Sequence, residues 1–154
     1  MKRTKKGFTL PEIVVSLAVT IIVISLVTSL VVIVAKISAK QNYENACQAE
    51  YRKASQLVSL YTNTFSTSNY EIESLQENLI SATDGQNTYT ISFNNETKVL
   101  SAQILEHSSG ETKIQTLEFK NIVQIKFTKE GKIILTEYFF DNFPKYSNIV
   151  TFGD

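Results

Sequence analysis

The sequence predicts an α+β protein in which one long N-terminal helix packs on a small antiparallel sheet of four or five strands. Residues 13–35 form an uncharged run of 23 residues, of which 18 are apolar. Residues 43–61 carry apolar side chains at intervals of three and four, which is typical of one helix face. Beyond residue 88 the apolar period changes to two, which is typical of strands. The helix is therefore expected to be membrane-spanning in its first half and amphipathic in its second.

The composition disfavours an enzyme. The 154 residues include one His, one Cys and no Trp. A single Cys cannot form an intrachain disulfide, and one Cys with one His is too few ligands for a Cys/His zinc site. His107 lies in a stretch of Ser and Gly that predicts an exposed turn. No spacing of carboxylate or Ser residues suggests a catalytic group, and we expect no metal and no cofactor.

The uncharged run is long enough to cross a membrane. In helical form its 23 residues extend roughly 34 Å, against a hydrocarbon core of about 30 Å. Four basic residues (Lys2, Arg3, Lys5 and Lys6) precede it, so the positive-inside rule places the N-terminus in the cytoplasm and residues after Lys36 outside. An ordinary cleaved secretory signal has a small-x-small site after its apolar region, and no such site follows this run. We therefore expect a retained, single-pass anchor in the cytoplasmic membrane.

Glu12 stands directly before the uncharged run, at the expected membrane boundary. A carboxylate at that depth is costly and suggests a function. The alternative is an interfacial charge that marks the helix start and complements the helix dipole. Pro11 agrees with a start close by, since proline is tolerated in the first helical turn.

Residues Lys6-Gly7-Phe8-Thr9-Leu10-Pro11-Glu12, with the basic leader before them and the apolar run after them, resemble the class III signal of type IV pilins and pseudopilins. The resemblance implies cleavage by prepilin peptidase between Gly7 and Phe8, followed by methylation of the Phe8 amine. It also implies that Glu12 pairs with the N-terminal amine of a neighbouring subunit, because two charges that are unfavourable alone become tolerable together.

The resemblance further implies the partners: prepilin peptidase, other pilin-like subunits, the assembly platform of the membrane machine and the lipid bilayer. Ser16 and Thr20 follow Glu12 at intervals of four and form one slightly polar stripe, while Ser25 and Ser29 form a small-xxx-small pair. Either feature is a candidate packing face, although Ser and Thr also occur in membrane helices without such a role.

The implied organisation is a leader at residues 1–7, a transmembrane half-helix at residues 8–35 and an extracytoplasmic domain at residues 36–154. Many major pilins carry Gly and Pro within this helix, whereas this chain has no Gly between Gly7 and Gly85 and no Pro between Pro11 and Pro144. A continuous helix favours a minor pseudopilin of a competence or type II secretion-like system. A pilus for adhesion or twitching stays open.

The exposed part is predicted from periodicity. One helix is expected from about Phe8 to about Thr62, with Cys47 packed on its apolar stripe. Capping-box spacing at Ser68–Glu71 and apolar residues at 72, 75 and 79 predict a short second helix to about Ile80, followed by a turn at residues 81–87. Strands are expected around residues 89–93, 99–105, 114–119, 123–127 and 133–140. For residues 141–154 an edge strand that includes Phe152 and a loose tail are both open.

Two functions follow from these features. The first is a structural subunit that assembles by helix packing into a type IV pilus-like filament for DNA uptake or protein secretion, ending at the cell surface or in a pseudopilus. The second is a signal-anchored binding domain that never polymerises. Loss of the leader leaves 11 basic and 15 acidic residues, so we expect no direct DNA contact by this subunit. Lys120, Lys126, Lys129 and Lys132 alternate with acidic residues and predict a mixed, solvated strand face.

Overall fold

The computed structural model describes residues 8–66, 70–131 and 133–151. Its elements are one helix, α1 (Leu10–Ser66), and eight strands: β1 (Glu71–Gln76), β2 (Leu79–Thr83), β3 (Asn87–Asn94), β4 (Val99–Glu106), β5 (Thr112–Glu118), β6 (Ile122–Glu130), β7 (Ile133–Phe140) and β8 (Phe143–Thr151). The chain divides into two compact units, Met1–Tyr43 and Glu44–Asp154. The predicted α+β class is confirmed.

In the first unit, α1 exposes every large apolar side chain from Leu10 to Ile37, over about eight helical turns. No glycine or internal proline interrupts the helix, and β-branched residues, although weak helix formers in water, satisfy all their backbone groups internally in this form. Among the described residues, α1 is the one helix long and apolar enough to cross a membrane. Its apolar surface therefore requires lipid or other helices as its surroundings.

In the second unit, the last five turns of α1 bury one stripe. Cys47, Ala54 and Val58 are fully buried, and Tyr61 nearly so, as the spacing of three and four predicts. Thr62 is also buried, and its hydroxyl donates to the carbonyl of Val58 at 2.8 Å, so no polar atom is left unsatisfied there.

All strand pairs are antiparallel and form two sheets, β1-β2-β3-β4-β5 and β6-β7-β8. Alternate residues of the strands supply the core: Ile80, Ala82, Tyr89, Ile91, Phe93, Leu100, Ala102, Ile125, Phe127, Ile134, Tyr138 and Phe140. The two sheets meet at the β1–β2 turn, where the Phe127 N–H donates to the Glu77 carbonyl at 2.9 Å. Lys126 also pairs with Glu77 at 2.8 Å, as a mixed strand face predicts, while Lys132 lies outside the described residues.

The predicted short second helix is wrong. Residues 71–76 and 79–83 form β1 and β2, so part of the predicted turn at residues 81–87 is also strand. The spacing of Ile72, Leu75 and Leu79 fits a helix, but Ile80 and Ala82 pair with Ile91 and Tyr89 of β3. That pairing satisfies the backbone groups and buries both side chains, and so it overrides the local pattern. Ser68 and Asn69 lie outside the described residues.

The predicted strands are otherwise confirmed, and the strand number is larger than expected. The two strands at residues 71–83 and β8 add to the five that periodicity indicated. β8 confirms the edge-strand alternative for the tail, although Phe152 lies outside the described residues. Its hairpin with β7 turns at Asp141–Asn142, where Asn142 adopts a positive φ of 54° that asparagine tolerates better than most residues.

The Glu50 carboxylate joins α1 to the β5–β6 connection. It accepts the backbone N–H groups of Lys120 (3.1 Å), Asn121 (2.8 Å) and Ile122 (3.1 Å) and the Asn121 side-chain amide (2.8 Å). These four donors saturate both carboxylate oxygens and include three successive backbone N–H groups where the chain leaves β5 and enters β6. Glu50 therefore attaches the helix at the point where the chain passes from one sheet to the other.

β8 is attached to the same helix two turns further on. The Asn148 amide donates to Ser59 Oγ at 2.9 Å and to Ser55 Oγ at 3.3 Å. The Tyr51 ring stacks on Tyr146 with centroids 4.6 Å apart, and its hydroxyl donates to the Ser147 carbonyl at 3.3 Å. These contacts hold the C-terminal strand against α1.

Replacing Glu50 with Gln should destabilise the second unit by about 2–3 kcal/mol, because an amide retains one acceptor oxygen and sets its own NH₂ group against the backbone donors. The measurement is urea unfolding of the full chain in detergent, followed by tyrosine fluorescence. Glu111→Gln, an exposed carboxylate in the β4–β5 turn, is the control and should change stability by less than 0.5 kcal/mol (about the usual surface effect). Equal stabilities of the two variants would contradict the attachment.

Candidate processing and assembly site

The first described residues form a helix N-terminus. α1 begins at Leu10, two residues later than predicted, so Thr9 is its N-cap residue. The Thr9 carbonyl accepts the N–H groups of Glu12 at 3.1 Å and Ile13 at 3.2 Å. Pro11 occupies the first turn, where its missing N–H costs nothing because that group would have no intrahelical partner.

Glu12 contacts the cap residue of its own helix. One carboxylate oxygen of Glu12 lies 3.3 Å from both the backbone N and the hydroxyl of Thr9. This is the returning half of a capping box, in which the third helical residue satisfies the N–H of the cap. The negative charge also lies at the positive end of the helix dipole. The interpretation of Glu12 as a mark of the helix start therefore has a structural basis within the single chain.

The position of Thr9 as the N-cap residue is not among the features predicted from the sequence. A Thr followed three residues later by Glu, directly before an apolar run, is the usual signature of a helix start. The same spacing at Ser68–Glu71 predicts a helix start, yet β1 begins at Glu71. The signal at Thr9 is dependable because an uninterrupted helical stretch follows it.

Phe8, Glu12, Ser16 and Thr20 line one shallow groove along α1, with Leu17 and Ile21 beside them. Phe8 is 80% exposed. The candidate methylation residue, which precedes α1, and the candidate pairing residue, which lies in the first turn of α1, thus line the same groove. Gly7, the other half of the predicted cleavage site, lies outside the described residues. The pairing of Glu12 with a neighbour's amine stays a prediction.

The hydroxyl groups of the apolar run bond to their own helix. Thr20 donates to the Ser16 carbonyl at 2.8 Å, and Ser29 donates to the Ser25 carbonyl at 2.9 Å. Ser25 and Thr28 make the same kind of bond, each at 2.8 Å, to Ile22 and Ile24. Because these donors are satisfied internally, they enter lipid at reduced cost and leave their small side chains available for close helix approach.

The remaining reactive side chains belong to the second unit and are not part of this groove. Cys47 is buried in the core, as predicted. His107 is exposed at the end of β4, with Nε2 2.9 Å from Thr88 Oγ1, in agreement with the predicted turn histidine. The groove itself contains one carboxylate and no second titratable side chain among its described residues. Its chemistry is that of a charge that contacts a helix or a partner.

Thr9→Ala should weaken the start of α1 by about 0.5–1 kcal/mol, because it removes the hydroxyl that contacts the Glu12 carboxylate, and Thr9→Ser should restore it. The measurement is amide hydrogen exchange of Glu12 and Ile13 in detergent micelles, where fraying accelerates exchange by roughly twofold to fivefold for that energy. Unchanged exchange in Thr9→Ala would show that the cap contributes nothing.

Comparison with known proteins agrees with this geometry. Residues 2–28 match a family model described as the prokaryotic N-terminal methylation motif. No curated protein and no solved structure matches the chain. The matched segment includes residues 2–7 of the predicted leader, Phe8, Glu12 and the first 16 residues of the apolar run. This chain therefore carries the N-terminal signal of type IV pilins and pseudopilins, a structural class of proteins whose precursors are substrates of prepilin peptidase.

Proposed function

We propose that the protein is a structural subunit of a type IV pilus-like filament. Prepilin peptidase cuts it between Gly7 and Phe8 and methylates the Phe8 amine. The mature chain is then held in the cytoplasmic membrane with its N-terminus on the cytoplasmic side. Subunits then leave the bilayer and pack through their N-terminal helices. The methylation motif at residues 2–28 is the observation that carries this proposal.

The apolar surface of α1 supports assembly by helix packing. Large apolar side chains from Leu10 to Ile37 are about half exposed or more, on all sides of the helix. Lipid covers such a surface in the membrane, and only neighbouring apolar helices can cover it in a filament. The internally bonded hydroxyls allow the same surface to serve in both surroundings, because neither requires new polar partners.

Glu12 sets the register between subunits in this proposal. Its carboxylate contacts Thr9 weakly, at 3.3 Å, and so remains available to a stronger donor. A methylated amine keeps its positive charge and at least one N–H donor, so it forms a charge-assisted hydrogen bond that exceeds the neutral contacts in strength. A neighbour's Phe8 amine beside Glu12 would neutralise both charges within the apolar bundle.

A minor pseudopilin role in DNA uptake or protein secretion is the specific form that we favour. α1 has no glycine or proline after its first turn, and it is continuous from Leu10 to Ser66. A helix that need not unwind suits a short pseudopilus, whereas a long extensible pilus commonly uses a helix that melts in part. In either case the protein has no active site of its own in this proposal. A signal-anchored domain that never polymerises is the competing function, and the experiments below separate the two.

Processing has a direct test. The intact mass of the membrane-extracted protein should lack residues 1–7 and include one added methyl group on Phe8. Gly7→Glu should accumulate uncleaved precursor, because the added side chain blocks close approach of the peptidase carboxylates to the backbone. Asn95→Glu, which adds the same side chain in the exposed β3–β4 turn, controls for general effects on expression. Detection of only the uncleaved, full-length wild-type chain in cells that contain prepilin peptidase would contradict the proposal.

Substitutions at Glu12 separate the cap from the charge pair. Glu12→Gln retains an oxygen that can accept the Thr9 N–H but has no charge, while Glu12→Ala loses both functions. Both variants should be cleaved like the wild type. Both should reduce incorporation into sheared filaments by at least roughly tenfold, because the neighbour's buried amine loses its charge partner. The measurement is immunoblotting of membrane and filament fractions.

The Gln variant decides between the two roles. Assembly of Glu12→Gln at the wild-type level, with loss only in Glu12→Ala, would show that helix capping and not charge pairing is the function of Glu12. Wild-type assembly of both variants would contradict any role for Glu12 in register.

A further inference from the structure

Lys36 is the first charged residue after the apolar run, and it is exposed on α1. It follows Glu12 by 24 residues, which is roughly 36 Å along the helix. The hydrocarbon core of a bilayer is about 30 Å thick, and the polar layers raise the total to about 40–45 Å. With Glu12 at one membrane boundary, as the sequence predicts, Lys36 therefore lies in the headgroup layer on the opposite side.

The chain offers Lys36 no anion of its own at this depth. From Ile13 to Tyr43 there are two lysines, Lys36 and Lys40, and no Asp or Glu. Within the described residues, no carboxylate forms an ion pair with Lys36. Its charged neighbour one turn further out is Lys40, and like charges at that spacing repel each other. An anion from outside the chain is therefore favoured, and phosphate is the anion of the headgroup layer.

A second copy of the chain is a poor occupant of the same side. At about 100° per residue, Lys36 and Lys40 project within about 40° of each other, and they define the lysine side of α1. The groove described above passes Thr20, and a second shallow groove is lined by Val31 and Ser38. These three residues lie about 160–180° around the helix from the lysine side. Parallel copies in contact on their grooves keep the lysines apart, whereas contact on the lysine side brings like charges together.

We propose that Lys36, assisted by Lys40, binds the phosphate group of an anionic phospholipid. The two residues are about 6 Å apart along the helix, and their long, flexible side chains allow both ammonium groups to reach one headgroup. The lipid covers the lysine side and fixes the depth of α1 in the bilayer. This inference rests on the membrane-anchored form of the proposed function, and it does not depend on cleavage, on Glu12 or on filament assembly.

The test uses the full, uncleaved chain in nanodiscs of phosphatidylcholine and phosphatidylglycerol, so that it can fail without affecting the tests of processing and assembly. The share of phosphatidylglycerol is varied, and the lipids that stay bound to the released protein are counted by native mass spectrometry. The half-saturating share gives the apparent affinity. Lipid held by the basic residues before Gly7 is the same in every variant, so the differences between variants report on α1.

Lys36→Gln should weaken the apparent affinity for phosphatidylglycerol by about fivefold, which is the usual effect of one basic residue at a membrane surface. Lys36→Arg should bind at least as tightly as the wild type, because a guanidinium keeps the charge and pairs well with phosphate. Lys53→Gln is the matched control, since Lys53 is an exposed lysine of α1 beyond the apolar run, and it should not change the affinity.

Inorganic phosphate identifies the source of the bound group. Added in excess, it should not displace the phosphatidylglycerol, because the acyl chains hold the lipid headgroup beside the lysines. Displacement would overturn the proposal and assign the lysines to a free anion.

Two further results would overturn it. Equal affinity of the wild type and Lys36→Gln would show that Lys36 does not bind the headgroup. Equal weakening by Lys36→Gln and Lys53→Gln would show a general effect of protein charge instead of a site on α1.

Discussion

The fold depends on one constraint: α1 must satisfy two different surroundings along a single uninterrupted helix. Its first half exposes aliphatic side chains on all sides, and its second half buries only one stripe. A helix serves both purposes because its backbone hydrogen bonds are internal and do not depend on what lies around it. The change of surroundings is therefore encoded in side chains alone. The sheets need to cover the stripe of the second half and nothing else.

The covering of that stripe relies on polar attachment as well as on apolar burial. Apolar contacts between a helix and a sheet are non-directional, and they allow one element to slide along the other. The Glu50 carboxylate removes this freedom, because its four donors lie on one short connection between the sheets. Asn148 and Tyr51 add directional contacts to β8. The position of the domain along the helix is thus determined by a few hydrogen bonds.

In the N-terminal groove, Glu12 supports the helix start of its own chain and is also the residue that we propose for the contact between subunits. In the chain alone, Glu12 caps the helix through Thr9. The cap is weak by distance, and it occupies one of the two carboxylate oxygens. The carboxylate therefore stabilises the helix start while its second oxygen can accept a further hydrogen bond.

The sequence by itself determined the membrane-capable helix, the stripe around Cys47, the signal around Phe8 and Glu12, and the hairpins beyond residue 88. These features depend on short-range periodicity or on a local motif. Both can be recognised in the sequence without knowledge of distant residues. Only the tertiary structure decided that residues 71–83 are strands, since pairing with β3 overrides spacing that fits a helix. It alone showed the role of Glu50, whose partners are about 70 residues away in the chain. A carboxylate on a helix surface has no local mark of its partner, because hydrogen-bond donors from a distant turn meet it only after the sheets have formed.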